Sequence, residues 1–251
     1  MYVVAKILVW VLTHCWFFLK KEGRENIPAE GPAILVCNHI HLMDVACIIA
    51  MTKRQVRFMA KKELFDNKFI GWFLTKIGTF PISRGDADIS GIRNALKVIK
   101  EGGLLCIFPE GTRNRERKEP LLPLHEGVAM ISLRAGAPIV PMWVEGGYAP
   151  WKPCRILAGK PMDLTEYAGI RRTDAATMKK LTGQMEQALY AARIVSYAQG
   201  FLLMRAASEH YGWTLDYGAV AAVWRGGCII RSAFLGDIRA AFEEDGALSN
   251  L

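Results

Sequence analysis

A histidine and an aspartate five positions apart, just after a short apolar run, constrain the fold of this chain more than any other feature. The run is AILVC at 33–37, and His39 and Asp44 follow it. On one helix, five residues rotate by about 500°, so the two side chains would diverge by roughly 140°. They meet only if a turn separates them. The sequence therefore predicts a strand over 33–37, a turn that holds Asn38 and His39, and a helix that begins at Asp44.

Such a pair suits acid–base chemistry. At the start of a helix, Asp44 is expected to cap the helix and to accept a hydrogen bond from the His39 ring. A carboxylate that fixes the tautomer of a histidine leaves the other ring nitrogen free to take a proton from a hydroxyl group. We therefore predict that His39 is the general base of a catalytic site and that Asp44 orients it.

Strands alternate with helices through most of the chain. Further strands are predicted over 55–60, 79–82, 104–108, 139–144 and 155–157. Further helices are predicted over 67–77, 87–100 and 127–133, and the first of these is expected to bury Phe69, Ile70, Phe73, Leu74 and Ile77. The alternation predicts an α/β domain with one central sheet flanked by helices.

The N-terminal segment is apolar and precedes this domain. Residues 2–19 contain Lys6, one threonine and one histidine among otherwise apolar side chains, and lysines follow at 20 and 21. The segment lacks the small residues of a signal-peptide cleavage site and is barely long enough to span a bilayer. We predict that residues 1–21 form a helix at the membrane interface, with aromatic and lysine side chains at the headgroup level. Burial of this helix against its own domain is the alternative.

The composition narrows the classes of partner. Hydrophobic residues make up 51% of the chain and charged residues 22%, which is typical of a globular protein. The formal net charge of +8 favours an anionic partner, either nucleic acid, acidic lipid or a phosphorylated substrate. No stretch interleaves aromatic and basic side chains as nucleic-acid surfaces do, so we expect no nucleic-acid partner. The six cysteines are scattered without a C-x-x-C pair, which predicts buried free thiols rather than disulfides or a zinc site.

Four short motifs in a fixed order resemble those of a known family. The first is N-H-x-x-x-x-D from Asn38 to Asp44, and G-T-F-P-I-S-R follows at 78–84. F-P-E-G-T-R lies at 108–113 and A-P-I-V-P at 137–141. Together they resemble the glycerolipid acyltransferases, most closely the 1-acylglycerol-3-phosphate acyltransferases. The resemblance implies that the sheet is mixed and that His39 deprotonates the free hydroxyl of a lysophospholipid. That oxygen would attack a thioester carbonyl without a covalent acyl-enzyme.

The resemblance also implies a substrate-binding set: Asn38, Lys61, Arg84, Glu110, Gly111, Thr112 and Arg113. Arg84 and Arg113 suit the substrate phosphate, because a guanidinium matches phosphate oxygens with two hydrogen bonds. Lys61 matches a lysine of the family's phosphate site. Glu110 suits the glycerol hydroxyls or an arginine of the site, and Gly111 allows the backbone to turn or to come close. His41 is expected to line the pocket.

The implied activity is acyl transfer from acyl-CoA or acyl-carrier protein to 1-acylglycerol-3-phosphate, giving phosphatidate. The thioester is a co-substrate, and no metal or bound cofactor is implied. The expected location is an anionic membrane surface on the cytoplasmic face of the cell membrane. Two alternatives remain open at this point. The acceptor could be glycerol-3-phosphate or another lysophospholipid, or the chain could be a non-catalytic helical interaction protein.

The sequence changes character at about residue 188. Residues 188–251 contain five arginines, six acidic residues and no lysine, and their pattern is helical throughout. VSYAQGF at 195–201, RAASE at 205–209 and WRGGCIIRS at 224–232 resemble the all-helical C-terminal domain of 6-phosphogluconate dehydrogenase. No G-x-G-x-x-G motif joins a strand to a helix, so we expect no dinucleotide-binding fold and no dehydrogenase activity. We predict an acyltransferase domain over 22–187 and an appended, inert helical segment over 188–251.

Overall fold

The computed structural model of the chain describes residues 2–83, 89–117, 119–167, 174–227, 234–245 and 248. Its strands are β1 (Phe18–Glu22), β2 (Ala33–Cys37), β3 (Val56–Lys61), β4 (Thr79–Ile82), β5 (Leu104–Ile107), β6 (Ile139–Gly146) and β7 (Pro153–Ala158). Its α-helices are α1 (Tyr2–Val11), α2 (Asp44–Met51), α3 (Lys68–Ile77), α4 (Ile89–Lys100), α5 (Gly127–Ala135), α6 (Ala175–Tyr211), α7 (Tyr217–Gly227) and α8 (Phe234–Glu244).

The strands form one sheet in the order β1-β7-β6-β2-β5-β3-β4. Only β6 and β7 are antiparallel neighbours, and the other pairs are parallel. The predicted mixed sheet flanked by helices is therefore confirmed. At its centre, Leu35 of β2 pairs with Cys106 of β5 on one side and with Val140 of β6 on the other. The carboxyl ends of β2 and β5 consequently lie side by side, which brings the segments at 38–44 and 108–113 together.

Strand β2 divides the core into two layers. Leu35 and Cys37 point into a cluster that includes α2 and the N-terminal segment. Ile34 and Val36 point into a second cluster with α4, α5 and the first half of α6. Because alternate side chains of a strand face opposite sides of the sheet, a strand covered on both faces must be apolar throughout. All five residues of β2 are fully buried, as the unbroken apolar run predicts.

The N-terminal segment is not one helix to residue 21, and that part of the prediction is wrong. Helix α1 ends at Val11, a π-helical turn covers Leu12–Trp16, and Phe18–Glu22 pairs in parallel with β7. Phe17 is 1% exposed whereas Phe18 is 53% exposed. This alternation is the two-residue period of an extended chain at a sheet edge. Among the described helices, none is both long and apolar enough to cross a membrane.

Helix α3 turns Phe69, Ile70 and Phe73 outward, contrary to the predicted burial, whereas Ile77 is buried as predicted. Phe69 is 75% exposed. Helices α1 and α3 contact each other, and both expose large apolar side chains. We call these the apolar face: Val3, Val4, Ile7, Leu8, Trp10 and Val11 of α1, and Phe69, Ile70, Trp72 and Phe73 of α3.

Helix α6 runs without interruption across the predicted boundary at 187/188. Its first half places Leu181, Met185 and Leu189 in the core of the sheet domain. Its second half packs against α7 and α8 through the tail cluster, which consists of Tyr197, Phe201, Ala221, Leu235, Ile238 and Phe242. The C-terminal helices thus pack on one another and are joined to the first domain by a shared helix. The domain boundary itself stays a prediction.

The thiols largely follow the prediction. Cys37, Cys47, Cys106 and Cys154 are buried and free. Cys15 is also free but exposed, because it lies on the π-helical turn rather than in the core. Cys228 lies outside the described residues.

Candidate active site

His39 and Asp44 meet across the turn that follows β2. Nδ1 of His39 lies 2.8 Å from Oδ2 of Asp44, and α2 begins at Asp44. The predicted strand, turn and helix are therefore confirmed, and so is the contact between the two side chains. A carboxylate in this position holds the proton on Nδ1 and leaves Nε2 as the basic nitrogen.

Four donors converge on the Asp44 carboxylate, which is fully buried. Oδ2 accepts from His39 and from the backbone N–H groups of Ile40 at 2.7 Å and His41 at 2.8 Å. Oδ1 accepts from the hydroxyl of Tyr148. The carboxylate thus turns back toward the preceding turn, and Met43 at the N-cap makes no side-chain cap. The predicted helix-capping role of Asp44 is therefore wrong, because the turn already uses its oxygens.

The FPEGTR motif at 108–113 and the residue after it clamp the backbone of His39. The N–H of His39 donates to Oε1 of Glu110 at 2.7 Å, and the His39 carbonyl accepts from the backbone N–H of Asn114 at 2.7 Å. The imidazole also stacks on the Phe108 ring, with 4.0 Å between the ring centroids. The two distant motifs therefore act together to fix the position of one side chain, which keeps 15% of its surface exposed.

Glu110 is a structural clamp in this arrangement. Its carboxylate is 3% exposed, and the second oxygen accepts from the Leu122 N–H at 2.9 Å. Burial raises the pKa of Glu110, while the hydrogen bonds from Leu122 and His39 oppose that shift. Within the described residues no arginine forms an ion pair with it. Both oxygens bind backbone N–H groups, and Glu110 still lines the cavity. The expectation that Glu110 contacts an arginine or the glycerol hydroxyls stays a prediction, because each carboxylate oxygen can accept a further hydrogen bond.

Asn38 differs from its predicted place in the substrate site. Its side chain is 2% exposed. The amide nitrogen donates to the Val144 carbonyl at 3.0 Å, and the amide oxygen accepts from the Val144 N–H at 2.7 Å. Asn38 thereby extends the pairing of β2 with β6 by one residue. It holds the turn in register and does not line the cavity.

A cavity of about 2040 Å³ opens beside His39. Its lining is largely apolar and comes from α1, α2, α3, β3 and the end of β5. Among the predicted residues, the cavity wall includes His39, Lys61, Glu110, Gly111, Thr112 and Arg113. Gly111 has φ +62°, and a Cβ there would lie 2.8 Å from the His125 ring. The predicted need for glycine at this turn is confirmed, because a side chain would be both strained and obstructed.

The basic side chains of the site have different surroundings. Arg113 is exposed at the cavity wall, and no ion pair in the described part of the chain involves it. Lys61 ends β3 and lies 3.0 Å from the carboxylate of Glu63. Arg84 lies outside the described residues. His41 does not line the cavity as expected, because its ring stacks on Tyr148 with 4.7 Å between centroids.

Three contributors were missed by the sequence reasoning. Phe108 begins the FPEGTR motif and Asn114 directly follows it, so their proximity to His39 would follow once this motif and the 38–44 motif were placed together. Tyr148 carries no such signal. It lies 104 positions from Asp44, in the connection between β6 and β7.

Comparison with known proteins gives two separate matches. The sequence model of the acyltransferase family matches residues 18–145. A Bacillus subtilis protein named 1-acyl-sn-glycerol-3-phosphate acyltransferase is 35% identical over 156 residues, which cover 60% of this chain and 76% of that protein. The crystal structure of a Thermotoga maritima 1-acyl-sn-glycerophosphate acyltransferase, PlsC, shares the fold with a TM-score of 0.59 and 22% identity. That match covers 78% of this chain and 79% of the other.

The second match lies in the C-terminal part. The model of the 6-phosphogluconate dehydrogenase C-terminal domain matches residues 155–251. The mouse dehydrogenase is 56% identical over 73 residues and the Caenorhabditis elegans enzyme 60% over 68 residues. Those matches span only 15% and 14% of the two enzymes. The predicted resemblance of the tail is confirmed, and the chain joins parts that resemble two unrelated families.

Proposed function

This chain belongs to the acyltransferase family, and on that basis we propose that it acylates the free hydroxyl of 1-acylglycerol-3-phosphate to give phosphatidate. One observation carries the proposal: His39, with Nδ1 held 2.8 Å from Asp44, stands at the wall of a large apolar cavity. A base that faces an apolar cavity suits a reaction between a lipid hydroxyl and a fatty acyl thioester.

The proposed reaction proceeds in one direct transfer. Nε2 of His39 takes the hydroxyl proton while the acceptor oxygen attacks the thioester carbonyl carbon. The tetrahedral adduct collapses with cleavage of the carbon–sulfur bond, and the imidazolium returns the proton to the departing thiolate. Asp44 stabilises the imidazolium between these steps. A positioned general base of this kind accelerates a reaction by roughly 10²–10⁴-fold.

The thiols near the site support transfer without a covalent enzyme intermediate. Cys37 and Cys106 lie in the central strands, and burial raises the pKa of both thiols. A neutral thiol is a poor nucleophile, since the thiolate is the reactive form. His39 therefore activates the substrate hydroxyl rather than either of these two thiols.

Two features of the cavity match the proposed substrates. Its volume of about 2040 Å³ is well above the roughly 300–1,000 Å³ of pockets that hold small molecules, which leaves room for long acyl chains. Arg113 at its wall suits the acceptor phosphate, because a guanidinium can donate two hydrogen bonds to phosphate oxygens. Lys61, Thr112 and Arg84 complete the proposed phosphate site. The acyl donor, acyl-CoA or acyl-carrier protein, is a co-substrate.

The apolar face supports action at a membrane surface. Leu8, Val11, Ile70 and Phe73 belong to this face and also line the cavity. A lipid that rests in the interface can thus reach His39 without crossing water. Burying each large apolar side chain in the bilayer contributes about 1.5–3 kcal/mol. We place the enzyme on the cytoplasmic side, where free thiols such as those described here persist.

The test is acyl transfer to 1-acylglycerol-3-phosphate in vesicles, with acyl-CoA and acyl-carrier protein as donors. The full chain is compared with His39→Ala and with His210→Ala, an exposed histidine of the C-terminal helices. We expect turnover by the full chain and by His210→Ala, and a loss of at least about 10²-fold in His39→Ala. A folded full chain that is inactive with both donors would refute the proposal. Faster turnover with glycerol-3-phosphate would move the activity to that acceptor.

A further inference from the structure

Tyr148 reaches the catalytic pair from a distant part of the chain. It lies between β6 and β7, and its hydroxyl donates to Oδ1 of Asp44. The other carboxylate oxygen, Oδ2, serves His39 and the two backbone N–H groups of the turn. Tyr148 is thus the donor on the side of the carboxylate that faces away from His39.

We propose that Tyr148 is a positioning residue for acyl transfer, which fixes the rotation of the Asp44 carboxylate so that Oδ2 stays directed at Nδ1 of His39. The inference rests on the proposed function. A terminal carboxylate rotates in a broad energy well, and a bond to each oxygen restricts that rotation. Without the hydroxyl, Oδ1 would be a buried charged oxygen without its donor, and the carboxylate would rotate to share the remaining N–H groups.

Tyr148 is itself held in place from three sides. Its ring stacks on His41, and the edge of Phe17 meets it with 5.3 Å between centroids. The indole N–H of Trp16 donates to the Tyr148 carbonyl at 3.2 Å. The Trp16 carbonyl accepts from the backbone N–H of Trp151 at 2.7 Å. The π-helical turn therefore fixes the loop that carries Tyr148, and the hydroxyl of Tyr148 contacts the catalytic carboxylate.

The hydroxyl is suited to a permanent donor role. Burial, together with the neighbouring Cys47 and Asp44, raises the pKa of Tyr148 well above its usual value. The hydroxyl consequently keeps the proton that it donates. The Cys47 thiol lies 3.9 Å away and donates to the same hydroxyl oxygen, which leaves the hydroxyl proton directed at Asp44.

The test is Tyr148→Phe, which removes the hydroxyl and keeps the ring between His41 and Phe17. Tyr167→Phe is the matched control, since Tyr167 is a buried tyrosine whose hydroxyl donates to Gln184 at 2.8 Å. In Tyr148→Phe we expect kcat to fall by about ten- to hundredfold, the usual effect of one hydrogen bond to a charged group. KM for 1-acylglycerol-3-phosphate should stay unchanged, and the control should retain the kcat of the full chain.

Repeating the change in a variant that already lacks the Asp44 carboxylate separates a positioning role of Tyr148 from a role in packing alone. In Asp44→Asn, the added Tyr148→Phe change should cause no further loss of kcat, because the hydroxyl acts through the carboxylate. An unchanged kcat in Tyr148→Phe would overturn the proposal. Equal fractional losses in both backgrounds would overturn it as well.

A measurement that needs no substrate shows which of the two proposals fails, the positioning role of Tyr148 or the acyl transfer. The Nδ1 proton of His39 should give a downfield NMR signal in the full chain, assigned by its loss in His39→Ala. Tyr148→Phe should weaken or shift that signal, and Tyr167→Phe should not. If the signal responds in this way while the full chain transfers no acyl group, the proposed function fails and the positioning contact stands. If the signal is the same in Tyr148→Phe, the positioning proposal fails.

Discussion

The two halves of helix α6 belong to two regions, and only the first of these regions contains the proposed active site. The first half packs Leu189 beneath a sheet whose opposite layer includes helix α2, which begins at Asp44. The second half packs Phe201 in the tail cluster, where its ring lies near Tyr217, Trp224 and Phe242. One region gathers polar groups at a cavity wall, whereas the other gathers aromatic rings in a small core.

The region with the higher sequence identity to its relatives is not the region that contains the proposed active site. The tail is 56% and 60% identical to the mouse and Caenorhabditis elegans dehydrogenases but spans about one-seventh of their length. The sheet region is 35% identical to a relative of which the chain covers 76%. The function of a protein depends on the residues of its site rather than on the degree of sequence similarity. In the described part of the tail, no residue lines the cavity beside His39, so we assign activity to the sheet region alone.

We expect the largest change in acyl transfer from a comparison of one aspartate variant in each region. Asp44→Asn replaces an acceptor oxygen with an amide and should lower acyl transfer by about 10²–10⁴-fold, since it removes the orientation of the base. Asp216→Asn is the matched change in the tail, where Asp216 accepts from the Ala219 N–H at 2.9 Å and asparagine caps equally well. Its turnover should equal that of the full chain. Loss of activity in Asp216→Asn would mean that the tail contributes to catalysis.

The next prediction compares the loss of stability from substitutions at two buried positions of helix α6. Leu189→Ala should lower the free energy of unfolding of the sheet region by about 2–5 kcal/mol, and Phe201→Ala should destabilise the tail by about 3–5 kcal/mol. The measurements are the melting profile and the temperature at which acyl transfer is lost. We expect only Leu189→Ala to lower the inactivation temperature. Parallel losses in both variants would show that α6 couples the two regions into one cooperative unit.

A smaller effect is expected at the cavity wall. Arg113→Ala should raise KM for 1-acylglycerol-3-phosphate by about ten- to hundredfold, because hydrogen bonds to the charged phosphate are lost. Arg134→Ala is the control, an exposed arginine near the end of α5 that does not line the cavity. Initial rates at varied acceptor concentration give KM and kcat for each variant. An Arg113→Ala variant with unchanged KM would remove Arg113 from the phosphate site.

The sequence predicted the strands and the turn that carry the site better than it predicted which helix side chains are exposed. The bounds 33–37 and 79–82 match β2 and β4. At β2, a continuous apolar run between turn residues leaves few alternatives. Helix geometry excluded a contact of His39 with Asp44 within one helix, so their predicted contact required the turn that the structure shows. The outward turn of Phe69 was not predicted, because helical periodicity gives the apolar side of a helix but not what covers it. The contact of Tyr148 with Asp44 depends on the antiparallel pairing of β6 with β7, which no local pattern encodes.

The smallest expected effect concerns the pH dependence of stability. Burial raises the pKa of Glu110 above its ordinary value of 4.5, so the folded chain binds this proton more tightly than the unfolded chain. Its contribution to the free energy of unfolding should therefore fall as the pH rises from 4.5 through the raised pKa. Urea unfolding at several pH values, compared between the full chain and Glu110→Gln, isolates this slope. Glu126→Gln, at an exposed glutamate, should leave the slope unchanged. A stability difference that grows with pH would show instead that the two backbone N–H donors outweigh burial at Glu110.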